Sequence, residues 1–108
     1  MHTWRVDTQA QTIALASDGG VPWVSYWGAP LPMGEDLEAL ARSGLLDHTG
    51  GMLDGIAPLS VCPETATGFA GQPGLIAYRD GALLQSRLRF VSADRLSSGQ
   101  DKDDTLRI

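Results

Sequence analysis

Three carboxylates, Asp47, Asp54 and Glu64, lie within residues 45–74, a segment with little hydrophobic periodicity and repeated glycine and proline interruptions. Two carboxyl groups roughly 5–10 Å apart can cleave a glycosidic bond, so this segment is the first place to look for chemistry. Asp47 and Glu64 are expected to be solvated loop charges, because acidic side chains are seldom buried without a partner. Asp54 differs, since Gly55 directly after it lets the backbone approach a ligand closely. At this point Asp54 is either a turn residue or a ligand contact.

The other reactive side chains form no recognisable catalytic or metal-binding set. The two histidines, His2 and His48, have no Gly-x-Ser-x-Gly nucleophile to serve, and with a single cysteine they give no metal-ligand spacing. Cys62 is predicted to be a small buried hydrophobic residue next to Pro63. The glycine-rich residues 68–74 fit neither the dinucleotide nor the P-loop pattern. We therefore predict no catalytic residue, metal or cofactor in these 108 residues.

Charge and hydropathy exclude two classes of partner. The formal net charge is −5 at pH 7, whereas a face that binds nucleic acid needs an excess of lysine and arginine. No apolar run approaches the ~20 residues that cross a bilayer. The first residues also lack the positively charged and then apolar segments of a secretion signal. The sequence thus predicts a cytoplasmic protein with no nucleic-acid or membrane partner.

Alternation of apolar and polar residues predicts strands over residues 3–7, 11–16 and 21–27. The sequence SDGG between the second and third of them supplies the residues of a tight hairpin turn. Pro22 lacks an N–H group, so the third strand is expected at an edge of its sheet. Because successive side chains of a strand face opposite sides, about two of the three tryptophans should face the core.

One short helix is predicted over residues 34–43, ended by Gly44 and with acidic residues in its first turn. Residues 45–74 after it are predicted to form an ordered loop. The apolar side chains of the helix recur at helical spacing: Leu37, Leu40 and Ala41.

The last third of the chain is predicted to return to strands. Two strands are predicted, over residues 75–79 and 82–93, joined by an Asp80-Gly81 turn. The second strand alternates in hydropathy, so one of its faces is expected to be exposed to solvent. Residues 105–108 resume an alternating pattern, but a strand there has no hairpin partner after it. We therefore expect a chain cut before its natural domain end, with a mainly β, incomplete antiparallel β-sandwich as its fold.

Four stretches of sequence occur in a familiar order: WRVDT, TIALASDGGVPWVSYWGAPLP, GGMLDGIAPLSVCPE and GFAGQPGLIAYRDG. Together they resemble the N-terminal region of the α-galactosidases of glycoside hydrolase family 36, over essentially the whole chain. The resemblance implies a β-supersandwich domain ahead of a (β/α)8 barrel, and retaining hydrolysis of terminal α-galactosides by two aspartates of the barrel. Neither the family's Lys-Trp-Asp stretch nor its Cys-Ser and glycine run occurs here, so the resemblance implies a non-catalytic piece.

The resemblance also assigns a role to Asp54. In tetrameric family members the N-terminal domain reaches the rim of a neighbour's active site, where the aspartate of a Leu-Asp motif contacts substrate. Asp54 is the matching position, which implies a substrate-binding residue and a homo-oligomer; a carboxylate can accept hydrogen bonds from two adjacent sugar hydroxyls. The family's Gly-Asp-Phe-Arg-x-Pro segment is matched at Pro73 but has Gly71 at the arginine position, so a second charged rim contact is missing.

Two functions follow as expectations. The first is the N-terminal domain of an α-galactosidase, residues 1–108, which serves assembly and substrate-rim contact. The alternative is a free-standing carbohydrate-binding or protein-interaction β-sandwich with no hydrolase attached. The coding sequence beyond Ile108 distinguishes them, because the first requires further strands and a barrel with the Lys-Trp-Asp stretch.

Overall fold

The structure is a computed structural model that describes residues 1–45, 59–97 and 104–108. Within these ranges the chain is mainly β, with three separate antiparallel sheets of three, two and two strands and one short helix. The predicted fold class is confirmed. The elements follow one another as β1 (His2–Asp7), β2 (Thr12–Ser17), β3 (Trp23–Gly28), α1 (Leu37–Ser43), a 3-10 turn (Thr65–Thr67), β4 (Ala77–Arg79), β5 (Ala82–Leu84), β6 (Asp94–Ser97) and β7 (Asp104–Arg107).

The three-stranded sheet holds most of the buried side chains, with β2 between β1 and β3. On one of its faces Ala16 and Trp23 pack against Ala41 of α1. On the other face Trp4 lies opposite Leu15 in the β1–β2 register, and Phe90 packs against the Trp4 ring at a centroid distance of 4.9 Å. The central strand is therefore covered on both sides.

The turn from β2 to β3 follows the SDGG prediction. Gly19 has a φ of 109°, which glycine adopts at little cost. The Ser17 hydroxyl accepts the Gly19 N–H at 3.1 Å and donates to the Gly20 carbonyl at 2.8 Å. After the turn β3 lies at the edge of its sheet as Pro22 predicts, and a short bridge pairs Trp23 with Ser60 beyond it.

The helix begins three residues later than predicted, at Leu37 rather than at residue 34. Asp36 is the reason, because it has an extended backbone and its side chain accepts hydrogen bonds from the N–H groups of Glu38 and Ala39. An aspartate in this position caps a helix and is not part of it. The predicted end is confirmed, since Gly44 directly follows the last helical residue.

The second hairpin forms as predicted but is shorter. Asp80 and Gly81 both have positive φ values, 50° and 77°, as a two-residue type I′ turn requires. The long strand predicted over residues 82–93 is wrong in its extent, because β5 ends at Leu84. No strand of the described chain pairs with residues 85–93, so an alternating sequence is present without the hydrogen-bonded ladder that defines a strand.

The final strand has a pairing that the sequence does not predict. The prediction for residues 105–108 concerns a partner after the strand, whereas β7 pairs antiparallel with β6, with Leu106 opposite Arg95. The partner precedes the strand in the chain, in a stretch that carries no clear alternation. The Arg95 guanidinium also donates to the backbone carbonyl of Arg5 at 2.8 Å, which joins this small sheet to β1.

A hydrogen-bonded ion pair secures the chain that leaves β3. Arg5 donates from Nε and from a terminal nitrogen to the two oxygens of Asp7, both at 2.7 Å, and the same guanidinium donates to the carbonyls of Leu31 and Pro32. The buried Thr12 hydroxyl donates to Asp7 at 2.6 Å and accepts the Leu31 N–H at 3.1 Å. The hydrogen bonds from Arg5, and then from Thr12, lower the pKa of Asp7.

Replacement of Asp7 by asparagine should lower the free energy of unfolding by about 1–2 kcal/mol near neutral pH, because charged hydrogen bonds are lost at a partly solvated site. The pKa of Asp7 is lowered in the folded state. Its contribution is therefore present above the pKa of the unfolded chain and is lost as the pH falls through the folded pKa. Urea unfolding near pH 7 and at successive values below about pH 4 should show the gap between wild type and Asp7→Asn closing.

Glu38→Gln is the matched control, because Glu38 pairs with Arg42 at 2.5 Å on the exposed face of α1. Exposed pairs of this kind contribute little, so this variant should unfold close to wild type. An Asp7→Asn gap that stays constant with pH would contradict the role of the ionised carboxylate.

Candidate functional site

The residue predicted to bind substrate, Asp54, lies outside the described residues, and so do Asp47 and His48. Of the three loop carboxylates the structure places Glu64. Its surroundings therefore define the candidate site that the described residues can form.

Glu64 is buried, with 6% of its surface exposed, so the expectation of a solvated loop charge is wrong. The backbone N–H of Leu88 donates to its Oε1 atom, which replaces one hydrogen bond that water would otherwise supply. The backbone carbonyl of Glu64 accepts the Thr67 hydroxyl at 2.8 Å and so helps to close the 3-10 turn. The Glu64–Leu88 contact joins residues 24 positions apart in the chain. Local sequence patterns do not predict a contact over this separation.

Glu64 lines a cleft of about 570 Å³ between the β2–β3 turn, the 3-10 turn and residues 87–89. Asp18, Arg87 and Arg89 are also among the residues that line the cleft. Among the described residues neither arginine has an ion pair or a side-chain hydrogen bond. The cleft is thus lined by residues of both charges.

A second, more apolar groove of about 420 Å³ runs beside residues 88–92 and is lined by Val61, Cys62 and Ile108 among others. The thiol of Cys62 is free and half-buried, whereas the sequence predicts a small buried hydrophobic residue. A Cβ atom added at Gly74 would lie 2.6 Å from the Cys62 sulfur. Gly74 therefore packs directly against Cys62, and a larger residue at this position would displace the Cys62 side chain.

The tryptophans divide as their alternation predicts. Trp23 is buried and Trp4 is half-buried, whereas Trp27 is 64% exposed at the end of β3. The indole N–H of Trp27 donates to the Gln11 side chain at 3.0 Å. This hydrogen bond restrains the ring of an exposed tryptophan.

Within residues 1–45, 59–97 and 104–108, no three histidine, cysteine or acidic side chains come together in a way that holds a metal ion. In the same ranges no helix has the length and apolar character needed to cross a membrane.

Comparison of the chain with protein-family models, with curated proteins and with solved structures found no match. The resemblance to the α-galactosidases accordingly remains a prediction from the four sequence stretches.

The Glu64 carboxylate should hold residues 85–93 against the rest of the molecule. In Glu64→Ala the Leu88 N–H loses its acceptor, which should lower the free energy of unfolding by about 1–3 kcal/mol and speed hydrogen exchange at Leu88. Glu64→Gln retains a carbonyl acceptor and should stay closer to wild type. Hydrogen exchange followed by NMR measures the effect, and equal exchange at Leu88 in wild type and Glu64→Ala would contradict the contact.

Proposed function

We propose that this chain is the N-terminal, non-catalytic domain of an α-galactosidase that hydrolyses terminal α-galactosides, and that it serves assembly and substrate-rim contact. The observation that carries the proposal is the succession of four family-like stretches, with Asp54 of the Leu-Asp motif between the helix and the return to strands. The mainly β architecture with small antiparallel sheets agrees with part of a β-supersandwich. The α-galactoside is then a partner through the complete enzyme.

Several large apolar side chains of the described residues are more than half exposed. The proposed assembly would cover some of them. The proposed assembly is a homo-oligomer, as the resemblance implies, and its proposed location is the cytoplasm. The most exposed side chains lie on different elements and on the segments between them: Trp27, Met33, Leu59, Tyr78 and Val91.

Asp54→Ala should lower kcat/KM for an α-galactoside roughly 5- to 150-fold in the enzyme formed by this domain and its barrel, because a charged hydrogen bond worth about 1–3 kcal/mol is lost. Hydrolysis of a nitrophenyl α-galactoside measures it, with sedimentation to follow the oligomer. Asp47→Ala, in the same predicted loop, is the matched control and should leave kcat/KM unchanged. Unchanged kinetics and an unchanged oligomer in Asp54→Ala would make Asp54 a turn residue.

One observation favours the alternative, a free-standing carbohydrate-binding module. Trp27 presents an exposed ring at the edge of the sheet, and its hydrogen bond to Gln11 restricts the orientation of that ring. An aromatic face held in this way can stack on the C–H groups of a sugar, at little cost in side-chain entropy.

The two functions make opposite predictions for the 108-residue chain alone. A binding module should show NMR shift changes near Trp27 when melibiose is added at millimolar concentration, and Trp27→Ala should abolish them. Tyr78→Ala is the control, because Tyr78 is a comparably exposed aromatic residue on β4. A domain that contacts substrate only at the rim of an assembled active site should show no shift changes, and this is the result we expect.

A further inference from the structure

Residues 85–93 form no ladder with another strand, but two features of residues 86–90 indicate an extended chain with contacts along one side. Their side chains alternate, with Ser86, Leu88 and Phe90 half-buried and the residues between them exposed. The backbone N–H of Leu88 donates to the Glu64 carboxylate. The backbone N–H of Phe90 donates to the Gly19 carbonyl at 3.0 Å. In an extended chain the N–H groups of residues two apart point to the same side. One edge of this segment is therefore occupied.

The other edge is open in the described part of the chain. In an extended backbone the N–H and C=O groups of Arg87, Arg89 and Val91 point away from Glu64 and Gly19. None of them forms a backbone hydrogen bond with a described residue. A row of unpaired backbone groups of this kind is a template for another strand. We call this unpaired side of residues 85–93, formed by Arg87, Arg89 and Val91, the open edge.

The side chains of the open edge indicate what its partner carries. Arg87 and Arg89 lie on the same exposed face and have no ion pair within the described ranges. Next to them Val91 is 89% exposed. Opposite charges stabilise directly facing positions of paired strands, and like charges destabilise them. If two copies paired antiparallel about Leu88, each Arg87 would face an Arg89, so a partner with acidic side chains is favoured over a second copy in this register.

We propose that the open edge binds an extended segment of another polypeptide by strand addition, and that this segment has acidic side chains at alternate positions to face Arg87 and Arg89. Binding completes the ladder that residues 85–93 lack and converts them into the long strand that their sequence pattern predicts. This proposal rests on residues 85–93 and does not depend on the proposed contact of Asp54 with substrate.

Hydrogen exchange of the 108-residue chain tests the proposal, with a capped nine-residue peptide of alternating glutamate and valine as the probe. Without peptide, the amides of Leu88 and Phe90 should exchange slowly and those of Arg87, Arg89 and Val91 quickly. With peptide, these three amides should become at least about tenfold slower, because each gains or is shielded by a ladder hydrogen bond. The same peptide with lysine in place of glutamate should not protect them.

Two proline variants separate pairing at the edge from general effects. Val91→Pro removes an N–H group from the open edge and should weaken peptide binding by about tenfold or more. Ser92→Pro is the matched control, because the Ser92 N–H points to the opposite side, and it should bind the peptide much as wild type does. The double change Arg87→Glu and Arg89→Glu should reverse the preference, so that the lysine peptide binds and the glutamate peptide does not.

Three results would overturn the proposal. The first is the absence of any protection by the glutamate peptide at millimolar concentration in wild type. The second is equal binding of the glutamate and lysine peptides, which would remove the role of the arginines. The third is protection of Arg87, Arg89 and Val91 that rises with protein concentration in the absence of peptide, since the occupant would then be a second copy. None of these results bears on the kinetics of Asp54→Ala, so the two proposals fail independently.

Discussion

Burial of β2 between two strands and under two covering layers is the constraint on which the described structure depends. Ala14, Leu15 and Ala16 are consecutive and all buried, which requires cover on both faces of the sheet because successive side chains alternate. Residues near the C-terminal end of the chain, Phe90 above all, supply part of that cover. Among the described residues the buried hydrophobic core thus lies within residues 14–41, and Phe90 from a later part of the chain covers one face of the sheet.

The outer elements are attached to this core by a few polar contacts. Two of these contacts attach residues 85–93, because the Leu88 N–H donates to Glu64 and the Phe90 N–H donates to the Gly19 carbonyl. In the third, the Arg95 guanidinium of β6 donates to the backbone carbonyl of Arg5. Each contact joins distant parts of the chain, and a single hydrogen bond contributes on the order of 1 kcal/mol. Elements held in this way can separate from the core at low cost.

Local signals in the sequence predict the local structure well. The SDGG and Asp80-Gly81 turns form where positive φ values are needed, and the first three strands lie within two residues of the predicted ranges. The predictions are wrong or incomplete where a structure depends on contacts between residues that are distant in the chain. The strand over residues 82–93 was predicted from alternation alone, yet a strand also needs a partner, and alternation does not say whether one is present. The pairing of β7 with β6 was missed for the related reason that β6 has little alternation of its own.

The candidate site shows the same division between local and long-range information. Acidic residues in loops are usually solvated, so a buried one is an exception. Composition does not reveal which carboxylate will be buried beside a partner. Glu64 is buried in this way because the chain returns 24 residues later and presents the Leu88 N–H to it. That return also leaves Arg87 and Arg89 on the exposed face, since their side chains must point away when Leu88 points inward. The burial of Glu64 and the exposure of Arg87 and Arg89 are thus both consequences of how residues 85–93 are placed. The same placement produces the open edge.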